Sequence, residues 1–457
     1  MILKTSLNGN VYSFKDIKDV LAKANEPKSG DRLQGIAAAN QSERVAAKVV
    51  LSHLTVGDLV ENPTVPYEKD EVTRINIDGL NKRTYKEIKN TTIGDFRELL
   101  LSHKTDNGEI HRLARGITGE VAAAVAKIMG AMDLVYGASK IHKITRCNTE
   151  IGQPGTLSFR CQTNSTIDDP DTILLGVMEG LSFGCGDACL GINPVADSVE
   201  GTKRIGDRLY EFMLKHEIPT QISILSHVST QMEAVKRGAP LSMIFQSIGG
   251  TQATNETFGV DKKLLDEAYQ VIVEHGIGTG PNLLYFETGQ GSEVSVDCDE
   301  GVDEMTLEAR TYGYARCFAP FMVNNVSGFI GPETIYDGKE MIRANLEDHF
   351  MGKLLGLPMG MAPCYTNHTP ITMDDQQMAT MLLALAGSNY YMGVPGGDDV
   401  MLAYMDTSFH DDAMLREITH KKPAPDFHKW LMKWGLMDEY GKLTPIAGDG
   451  SIFLSTQ

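Results

Sequence analysis

The sequence predicts a (β/α)8 barrel, also called a TIM barrel, with a mostly helical N-terminal extension and a C-terminal helical segment. From about residue 155 onward, eight short apolar segments alternate with segments of helical periodicity. The apolar segments lack a polar face, which is typical of parallel strands covered by helices on both sides. Eight such units is the number that a closed barrel requires. A doubly wound open sheet is the alternative, but no G-x-G-x-x-G motif follows the first strand.

This pattern divides the chain into three regions. Residues 1–154 form the extension, residues 155–396 the barrel and residues 397–457 the C-terminal segment. Within the mostly helical extension, pieces such as VTRINID (72–78) resemble strands. The eight predicted barrel strands are LSFRCQ (157–162), DACLGIN (187–193), QISILSH (221–227), SMIFQSIG (242–249), LLYFETG (283–289), FMVNNV (321–326), LPMGMAPC (357–364) and NYYMGVP (389–395).

The segments between these strands have the signals of helices. Asp169 and Pro170 read as an N-cap followed by proline in the first turn. Apolar residues then recur at helical spacing, and we interpret such stripes as faces that pack on the core. The stripes are Leu174, Val177, Met178 and Leu181; Leu265, Ala268, Tyr269 and Ile272; and Met378, Met381, Leu382 and Leu385.

Composition excludes several classes of protein. The 457 residues carry a formal net charge of −18, which argues against nucleic acid and against anionic membrane surfaces as partners. The N-terminus has no secretory signal. The longest apolar stretch is interrupted by Lys127 and Asp133, so it reads as a core helix and not as a membrane span. Seven scattered cysteines, an odd number, predict a reducing, cytoplasmic compartment.

Polar residues recur at the C-terminal ends of the predicted strands, where barrel enzymes place their active sites. Arg160 and Gln162 end the first strand on one face, Asn193 ends the second and Glu287 ends the fifth. A buried carboxylate such as Glu287 needs a positive partner, either a structural Arg or Lys or a cationic ligand. One fixed cation, one carboxylate and two amides suit a compact ligand that carries an amine and a hydroxyl group.

Other chemistries lack their usual residues. The predicted strands contain no lysine for a Schiff base, and the chain has no H-x-H, H-E-x-x-H or paired C-x-x-C motif, so we predict no metal site. Asp398 and Asp399 are able to hold magnesium, but we interpret them as a helix cap and a solvated charge. His368 is a lone loop histidine and a weak candidate for a general base. What remains is chemistry in which a cofactor supplies the reactive group.

Long motifs then occur in order along the chain: LSFRCQ, GDACLGINP, EIPTQISILSHV, FQSIGGT, LLYFETGQGS, VNNVSGFIGPE, EDHFMGKLLGLPMG, CYTNH and MGVPGGDDVMLAY. Together they resemble the large, catalytic subunit of ethanolamine ammonia-lyase over essentially the whole chain. The resemblance implies a (β/α)8 barrel and radical chemistry that converts ethanolamine to acetaldehyde and ammonia. It further implies adenosylcobalamin held between this subunit and a small subunit, in a hetero-oligomer with several copies of each. The implied location is the cytoplasm, within a bacterial microcompartment.

The resemblance also assigns roles to individual residues. Arg160, Gln162 and Asn193 match residues that hold the substrate hydroxyl group, and Glu287 with Gln162 matches the group that holds the ammonium. Arg160 and Glu287 are therefore the predicted catalytic residues. The positions that match contacts to the cobalamin are Pro194, Gln246, Ser295 and Met401.

The sequence departs from the family pattern at two places. The cobalamin signature D-x-H-x-x-G is absent, and its nearest match, EDHFMG at 347–352, reads as helix; the family keeps its cobalamin base-on, so this absence is expected. The family usually has Asp two residues before the Cys of CYTNH, where this chain has Ala362. Water, or a side chain such as Asp374 or Asp375 folding back, is a candidate replacement for the missing oxygen.

Two other functions stay open at this point. One is a different barrel enzyme, such as a cofactor-free isomerase or lyase that uses Glu287 as its base. The other is a non-catalytic subunit that only binds amines.

Overall fold

A parallel barrel forms the centre of the molecule, as the sequence predicts. The computed structural model describes residues 2–328 and 330–454. All eight predicted strands are present and pair in parallel, and they cover shorter ranges than the apolar segments because their ends turn into loops. The barrel strands are β5 (Ser158–Cys161), β6 (Cys189–Ile192), β7 (Ile222–Ile224), β8 (Ile244–Ser247), β9 (Leu284–Thr288), β10 (Met322–Asn325), β11 (Met359–Met361) and β13 (Tyr390–Val394).

The extension before the barrel is mostly helical, apart from two short hairpins. The hairpins pair β1 (Lys4–Leu7) with β2 (Asn10–Ser13) and β3 (Thr145–Arg146) with β4 (Glu150–Ile151). The helices are α1 (Ile17–Ala24), α2 (Ser29–Leu33), α3 (Gln41–His53), α4 (Val56–Glu61), α5 (Glu71–Asp78), α6 (Lys82–Ile88), α7 (Ile93–Leu101), α8 (Asn107–Ala114), α9 (Gly119–Lys127) and α10 (Ala131–Ser139).

The strand-like piece VTRINID is helical, so the expectation of strand there is wrong. It forms most of α5, which begins at an N-cap: the Asp70 carboxylate accepts a hydrogen bond from the Thr73 N–H at 2.6 Å. Capping and burial outweigh the β-propensity of its Val, Thr and Ile residues. Val72 is fully buried, and the Asn76 side chain donates to the Arg310 carbonyl at 3.2 Å.

Helices connect the strands and cover the outside of the barrel. They are α11 (Pro170–Ser182), α12 (Val199–Lys215), α13 (Val228–Lys236), α14 (Gln252–Thr257), α15 (Lys262–His275), α16 (Ser292–Ser295), α17 (Glu304–Ala315), α18 (Gly338–Leu354) and α19 (Met373–Leu385). Asp169 caps α11 and Pro170 opens it, as predicted. EDHFMG lies inside α18, also as predicted.

Two of the three predicted core-facing stripes pack inward, and the third does not. The stripes on α11 and α15 are largely buried. On α19, however, Met378, Met381 and Leu385 are 51%, 45% and 61% exposed. The residues of α19 that face the core are instead Gln376, Ala379, Thr380, Leu383 and Ala384.

At one seam the barrel is closed by a backbone hydrogen bond together with side-chain hydrogen bonds. The strands pair in the order β7, β6, β5, β13, β11, β10, β9, β8, so β7 and β8 are the two ends. The Ser242 N–H donates to the Ile222 carbonyl at 2.9 Å across this seam. The buried Gln231 amide pairs with both backbone groups of Phe245, at 2.9 and 2.7 Å, and also donates to the Ser226 carbonyl.

The last part of the chain adds short strands over the barrel mouth and two helices beside it. β12 (Tyr365–Thr366), β14 (Asp398–Asp399) and β15 (Tyr404–Met405) form an antiparallel sheet, and β16 (Thr407–Ser408) pairs with β13. The helices are α20 (Phe409–Ile418) and α21 (Pro425–Lys433). Asp398 and Asp399 therefore lie in a strand, and the expectation that they open a helix is wrong.

Buried ion pairs join the extension to the barrel. Arg310 on α17 contacts Asp70 and Glu120 at 2.7 and 2.6 Å. Lys28 contacts Glu347 at 2.9 Å, and Lys127 contacts Asp303 at 2.5 Å. None of the described helices is both long and apolar enough to cross a membrane.

Candidate active site

Arg160 lies inside the barrel with no exposed surface, and every N–H of its guanidinium has a partner. One terminal nitrogen, Nη1, donates to the Tyr285 hydroxyl at 2.8 Å and contacts the Met392 sulfur at 3.0 Å. The other, Nη2, donates to the Asn193 side-chain oxygen at 2.5 Å and to the Gly191 carbonyl at 3.1 Å. Nε also donates to the Gly191 carbonyl, at 3.2 Å. The structure thus joins Arg160 and Asn193, two of the predicted site residues.

Gly191 is required by the close approach of this arginine. A Cβ atom added at Gly191 would clash with Nε, Cδ and Cγ of Arg160. Its backbone conformation is ordinary, so the requirement comes from space and not from dihedral angles. Because Gly191 on β6 has no side chain, the guanidinium of Arg160 on β5 has room to cross the barrel.

Glu287 lies near the C-terminal end of β9 and close to Arg160. Its Oε1 is 4.0 Å from Arg160 Nη1 and accepts a hydrogen bond from the Asn324 side chain at 3.0 Å. Strand register explains this pairing, because Asn324 is the direct neighbour of Glu287 across β9 and β10. Burial raises the pKa of Glu287, while Arg160 and the Asn324 hydrogen bond act in the opposite direction. The single guanidinium at 4.0 Å thus only partly compensates this carboxylate.

Gln162 hydrogen-bonds to a different set of residues. Its side-chain nitrogen donates to the Asp399 carboxylate at 2.5 Å and to the Tyr404 hydroxyl at 2.9 Å. Its side-chain oxygen is buried and has no hydrogen-bond partner among the described residues, and the same holds for the side-chain oxygen of Asn324. Such oxygens are costly to bury unless a ligand or water meets them.

Asp399 belongs to this site although the sequence reading placed it in a helix cap. It is buried and accepts hydrogen bonds from Gln162, from the Asn164 side chain at 2.7 Å, and from the backbone N–H groups of Met401 and Leu402. The signal available in the sequence was its position just after the eighth strand.

Asp406 is a second carboxylate that sequence reasoning missed. It is 4% exposed, and its Oδ1 accepts a hydrogen bond from the Thr407 N–H at 2.8 Å. Its Oδ2 is buried and finds no hydrogen-bond partner in the part of the chain that the structure describes. Burial raises its pKa well above the ordinary value, and the negative charges of Asp399 and Glu287 act in the same direction.

Four other predicted residues lie at the C-terminal ends of the strands, around the barrel mouth. Pro194 follows β6, Gln246 lies in β8, Ser295 ends α16 and Met401 follows β14. Ser295 is exposed, and Pro194 and Met401 are partly exposed. The Gln246 amide is 5% exposed and already bonds to the Val228 N–H and the Ser247 carbonyl.

Two further expectations from the sequence concern a general base and a metal site. His368 is exposed on the loop before α19. Within residues 2–328 and 330–454, no group of three or more His, Cys, Asp and Glu side chains is arranged to hold a metal ion.

Fold and site together define a class of protein: a (β/α)8-barrel enzyme whose mouth presents a fixed guanidinium and carboxylates, groups that suit a small polar substrate. The chain belongs to the ethanolamine ammonia-lyase large subunit (EutB) family, whose model matches residues 12–446. It is 52% identical over 453 residues to the ethanolamine ammonia-lyase large subunit of Escherichia coli (strain K12), covering 99% of this chain and 100% of that protein. It is 51% identical over 453 residues, with the same coverage, to the protein of that name from Salmonella typhimurium (strain LT2). The family resemblance expected from the motifs is thereby confirmed.

Proposed function

We propose that this chain is the catalytic large subunit of an ethanolamine ammonia-lyase, which converts ethanolamine to acetaldehyde and ammonia with adenosylcobalamin. The observation that carries the proposal is the arrangement of Arg160, Glu287 and the unpaired oxygens of Gln162 and Asn324 at the mouth of the barrel. Family membership over residues 12–446 supports it.

The ammonium group of ethanolamine binds at Glu287. This carboxylate is 16% exposed on its side chain and lies in a largely dry pocket, where a charged hydrogen bond is strong. The unpaired oxygen of Gln162 is a second acceptor for the ammonium N–H groups. Of the two partners considered for Glu287, a structural cation and a cationic ligand, the proposal assigns the ligand: the ammonium of the substrate.

The hydroxyl group of ethanolamine binds between Arg160, Gln162 and Asn193. All the guanidinium N–H groups have partners, but the Met392 sulfur is a weak acceptor. The Arg160 N–H that points to this sulfur is therefore the one that most readily changes its acceptor and donates a hydrogen bond to a substrate oxygen. Asn193 fixes the guanidinium plane, and Gly191 leaves room for it.

Adenosylcobalamin, when bound, supplies the radical that removes hydrogen from the carbon bearing the hydroxyl group. Pro194, Ser295 and Met401 would hold it at the mouth, where an exposed hydroxyl group and apolar surface suit a large ligand. Gln246 would join them only if its buried amide gave up its bonds to Val228 and Ser247. The chain itself binds and orients the substrate and excludes water and other hydrogen donors.

The partner in this proposal is the small subunit of the same enzyme, in a hetero-oligomer with several copies of each subunit. The relatives are named as large subunits, which supports the existence of a second, small subunit. The proposed location is the cytoplasm, within a bacterial microcompartment. All seven cysteines are free in the structure, which supports a reducing compartment.

The test is reconstitution of the chain with a small subunit of the family, adenosylcobalamin and ethanolamine. We expect acetaldehyde and ammonia in equal amounts, together with a change in cobalamin absorption on adding substrate. Omitting the small subunit should weaken cobalamin binding, because part of the shared site is then missing.

Three results would contradict the proposal. Turnover of an amine without cobalamin would indicate a cofactor-free enzyme with Glu287 as its base. Ethanolamine binding without turnover in the complete mixture would indicate a binding subunit. A monomer that binds cobalamin tightly by itself would contradict the shared site.

A further inference from the structure

We propose that Asp406 binds the substrate ammonium together with Glu287, and supplies the carboxylate that Ala362 cannot. This inference rests on the proposed function and deepens it by naming a substrate-binding residue. It concerns Ala362, one of the positions at which this chain departs from the family pattern.

The backbone holds Asp406 in a fixed position at the mouth of the barrel. The residue lies between β15 and β16, and its N–H donates to the Gly397 carbonyl at 3.1 Å. The next residue, Thr407, pairs with β13, and its hydroxyl donates to the Met392 carbonyl. Only one carboxylate oxygen of Asp406 is used within the described chain, by the Thr407 N–H.

The surroundings of Asp406 belong to the substrate pocket. The side chain of Met392 lies between Arg160 and Asn324, at 3.0 and 3.2 Å from their nitrogens. The charges of Arg160 and Glu287 both act on Asp406, which places these three groups within electrostatic range of one another.

Ala362 lies in the same region. It is fully buried in a cluster with Cys364, Met392 and Tyr404. Asp406 and Glu287 both act on the Cys364 thiol, whose pKa burial raises well above its ordinary value. The cluster that surrounds Ala362 therefore lies within electrostatic range of both carboxylates, and its packed apolar side chains argue against a water at the alanine.

The charges of the pocket do not balance without a cation. Glu287, Asp399 and Asp406 are three carboxyl groups, and among the described residues the positive charge of Arg160 acts on both Glu287 and Asp406. Asp399 is compensated by N–H donors from Gln162, Asn164, Met401 and Leu402. Burial raises the pKa of Glu287 and of Asp406, and a bound ammonium would favour the charged forms of both, so that two carboxylates then face one guanidinium and one ammonium.

The two aspartates considered from the sequence are not available for this role. Asp375 forms a capping box at the start of α19, where its carboxylate accepts from the Thr372 N–H at 2.9 Å and from its hydroxyl at 2.8 Å. Asp374 is exposed in the same first turn. Asp374 is for this reason a suitable control.

The first experiment compares Asp406→Asn with Asp374→Asn in the complex with the small subunit, without adenosylcobalamin. Calorimetry measures binding of ethanolamine and of ethylene glycol, a neutral analogue in which a hydroxyl replaces the amine. We expect Asp406→Asn to weaken ethanolamine binding by about tenfold or more, the size of a lost charged hydrogen bond. Ethylene glycol binding, and both ligands in Asp374→Asn, should stay unchanged.

The second experiment moves the carboxylate from position 406 to position 362, where the family pattern has Asp. Asp406→Ala combined with Ala362→Asp should bind ethanolamine nearly as tightly as the native chain, whereas Asp406→Ala alone should not. This pair also tests the proposal if Asp406→Asn fails to fold, as judged by circular dichroism.

Several outcomes would overturn the inference. They are unchanged ethanolamine binding in Asp406→Asn, equal loss for ethanolamine and ethylene glycol, and a folded double variant that binds no better than Asp406→Ala. Because these are binding measurements, they are independent of turnover. Absence of turnover in the native complex contradicts the proposed function, whereas normal turnover with an unaffected Asp406→Asn contradicts this inference alone.

Discussion

Arg160 gives its N–H groups to Gly191, Tyr285, Asn193 and the sulfur of Met392, and this distribution decides what the pocket accepts. The three oxygen partners lie in β6, just after β6 and in β9, and together they fix the guanidinium. The thioether is a weak acceptor. A ligand oxygen at that position gains a charged hydrogen bond, whereas an apolar ligand gains nothing from it. The proposed selection for a hydroxyl group would thus rest on the weak contact of Arg160 with the Met392 sulfur.

Glu287→Gln keeps the shape of the amine-binding side chain and removes its charge. We expect kcat/KM for ethanolamine to fall at least about tenfold, which corresponds to about 1.4 kcal/mol. Cobalamin absorption should stay nearly unchanged. Glu439→Gln is the control, since Glu439 is exposed. A variant that keeps more than a small fraction of native kcat/KM would show that Glu287 does not hold the ammonium.

The pH profile gives an independent check on the same residue. Burial raises the pKa of Glu287, so the side chain is neutral at pH values where an exposed glutamate is already ionised. A neutral carboxyl cannot pair with an ammonium, and therefore kcat/KM should rise with pH through this raised pKa. Glu287→Gln should lose that limb. A native profile that is flat there, or that falls, would contradict the assignment.

At this scale the sequence identified the residues that lie on strands and missed those on the following loops. Arg160 and Glu287 were recognisable because a charged side chain on an apolar strand requires a partner. Asp399 and Asp406 follow the last barrel strand, where acidic residues are common and usually solvated. Only the three-dimensional path of β14 to β16 over the barrel mouth shows that both are buried.

The barrel has its weakest strand pairing at the seam between β7 and β8, the two ends of the hydrogen-bonded strand order. Gln231 on α13 replaces part of the missing ladder with its side-chain amide, which pairs with both backbone groups of Phe245. The residue is fully buried. Buried backbone groups without partners cost about 1–3 kcal/mol each. The helix thus contributes hydrogen bonds to the sheet as well as apolar cover.

Gln231→Met removes the hydrogen bonds to Phe245 and keeps a side chain of similar volume. We expect the free energy of unfolding in urea to fall by about 2–4 kcal/mol, because both the N–H and the carbonyl of Phe245 lose a partner. Gln270→Met on the exposed side of α15 is the matched control and should change stability by less than about 0.5 kcal/mol. Equal stability of the two variants would show that the seam is held by other contacts.

Element types were largely predictable, but the orientation of elements was not. Periodicity located α19 and missed which of its faces packs inward. Met378, Met381 and Leu385 form the more apolar stripe, yet the small residues Ala379 and Ala384 face α18 and the core. An apolar stripe in the sequence shows that a helix has an apolar face. Which face of the helix packs on the core also depends on how closely it fits the neighbouring elements. In α5 the sequence misled through β-branched residues, which a cap and tertiary burial overrode.

At the scale of the whole molecule, buried ion pairs couple the stability of the extension to that of the barrel. Arg310 on α17 binds Asp70 at the start of α5 and Glu120 on α9, and also donates to the Gly250 carbonyl after β8. It is fully buried, as are Lys28 with Glu347 and Lys127 with Asp303. Removing one partner from such a pair leaves an uncompensated charge, which is more costly than the pair is favourable. The extension and the barrel should therefore unfold together.

Arg310→Met tests this coupling. It leaves Asp70 and Glu120 buried without a cation, and we expect the free energy of unfolding to fall by about 3–5 kcal/mol. The two tryptophans of the chain, Trp430 and Trp434, lie at the other end of the sequence in and just after α21, so their fluorescence reports on the C-terminal segment. If the molecule unfolds as one unit, the fluorescence and circular dichroism midpoints in urea shift by the same amount. Arg208→Met, which breaks a partly exposed pair with Asp171, should leave both midpoints in place. A fluorescence midpoint that stays at its native value while the circular dichroism midpoint falls would mean that the extension unfolds separately.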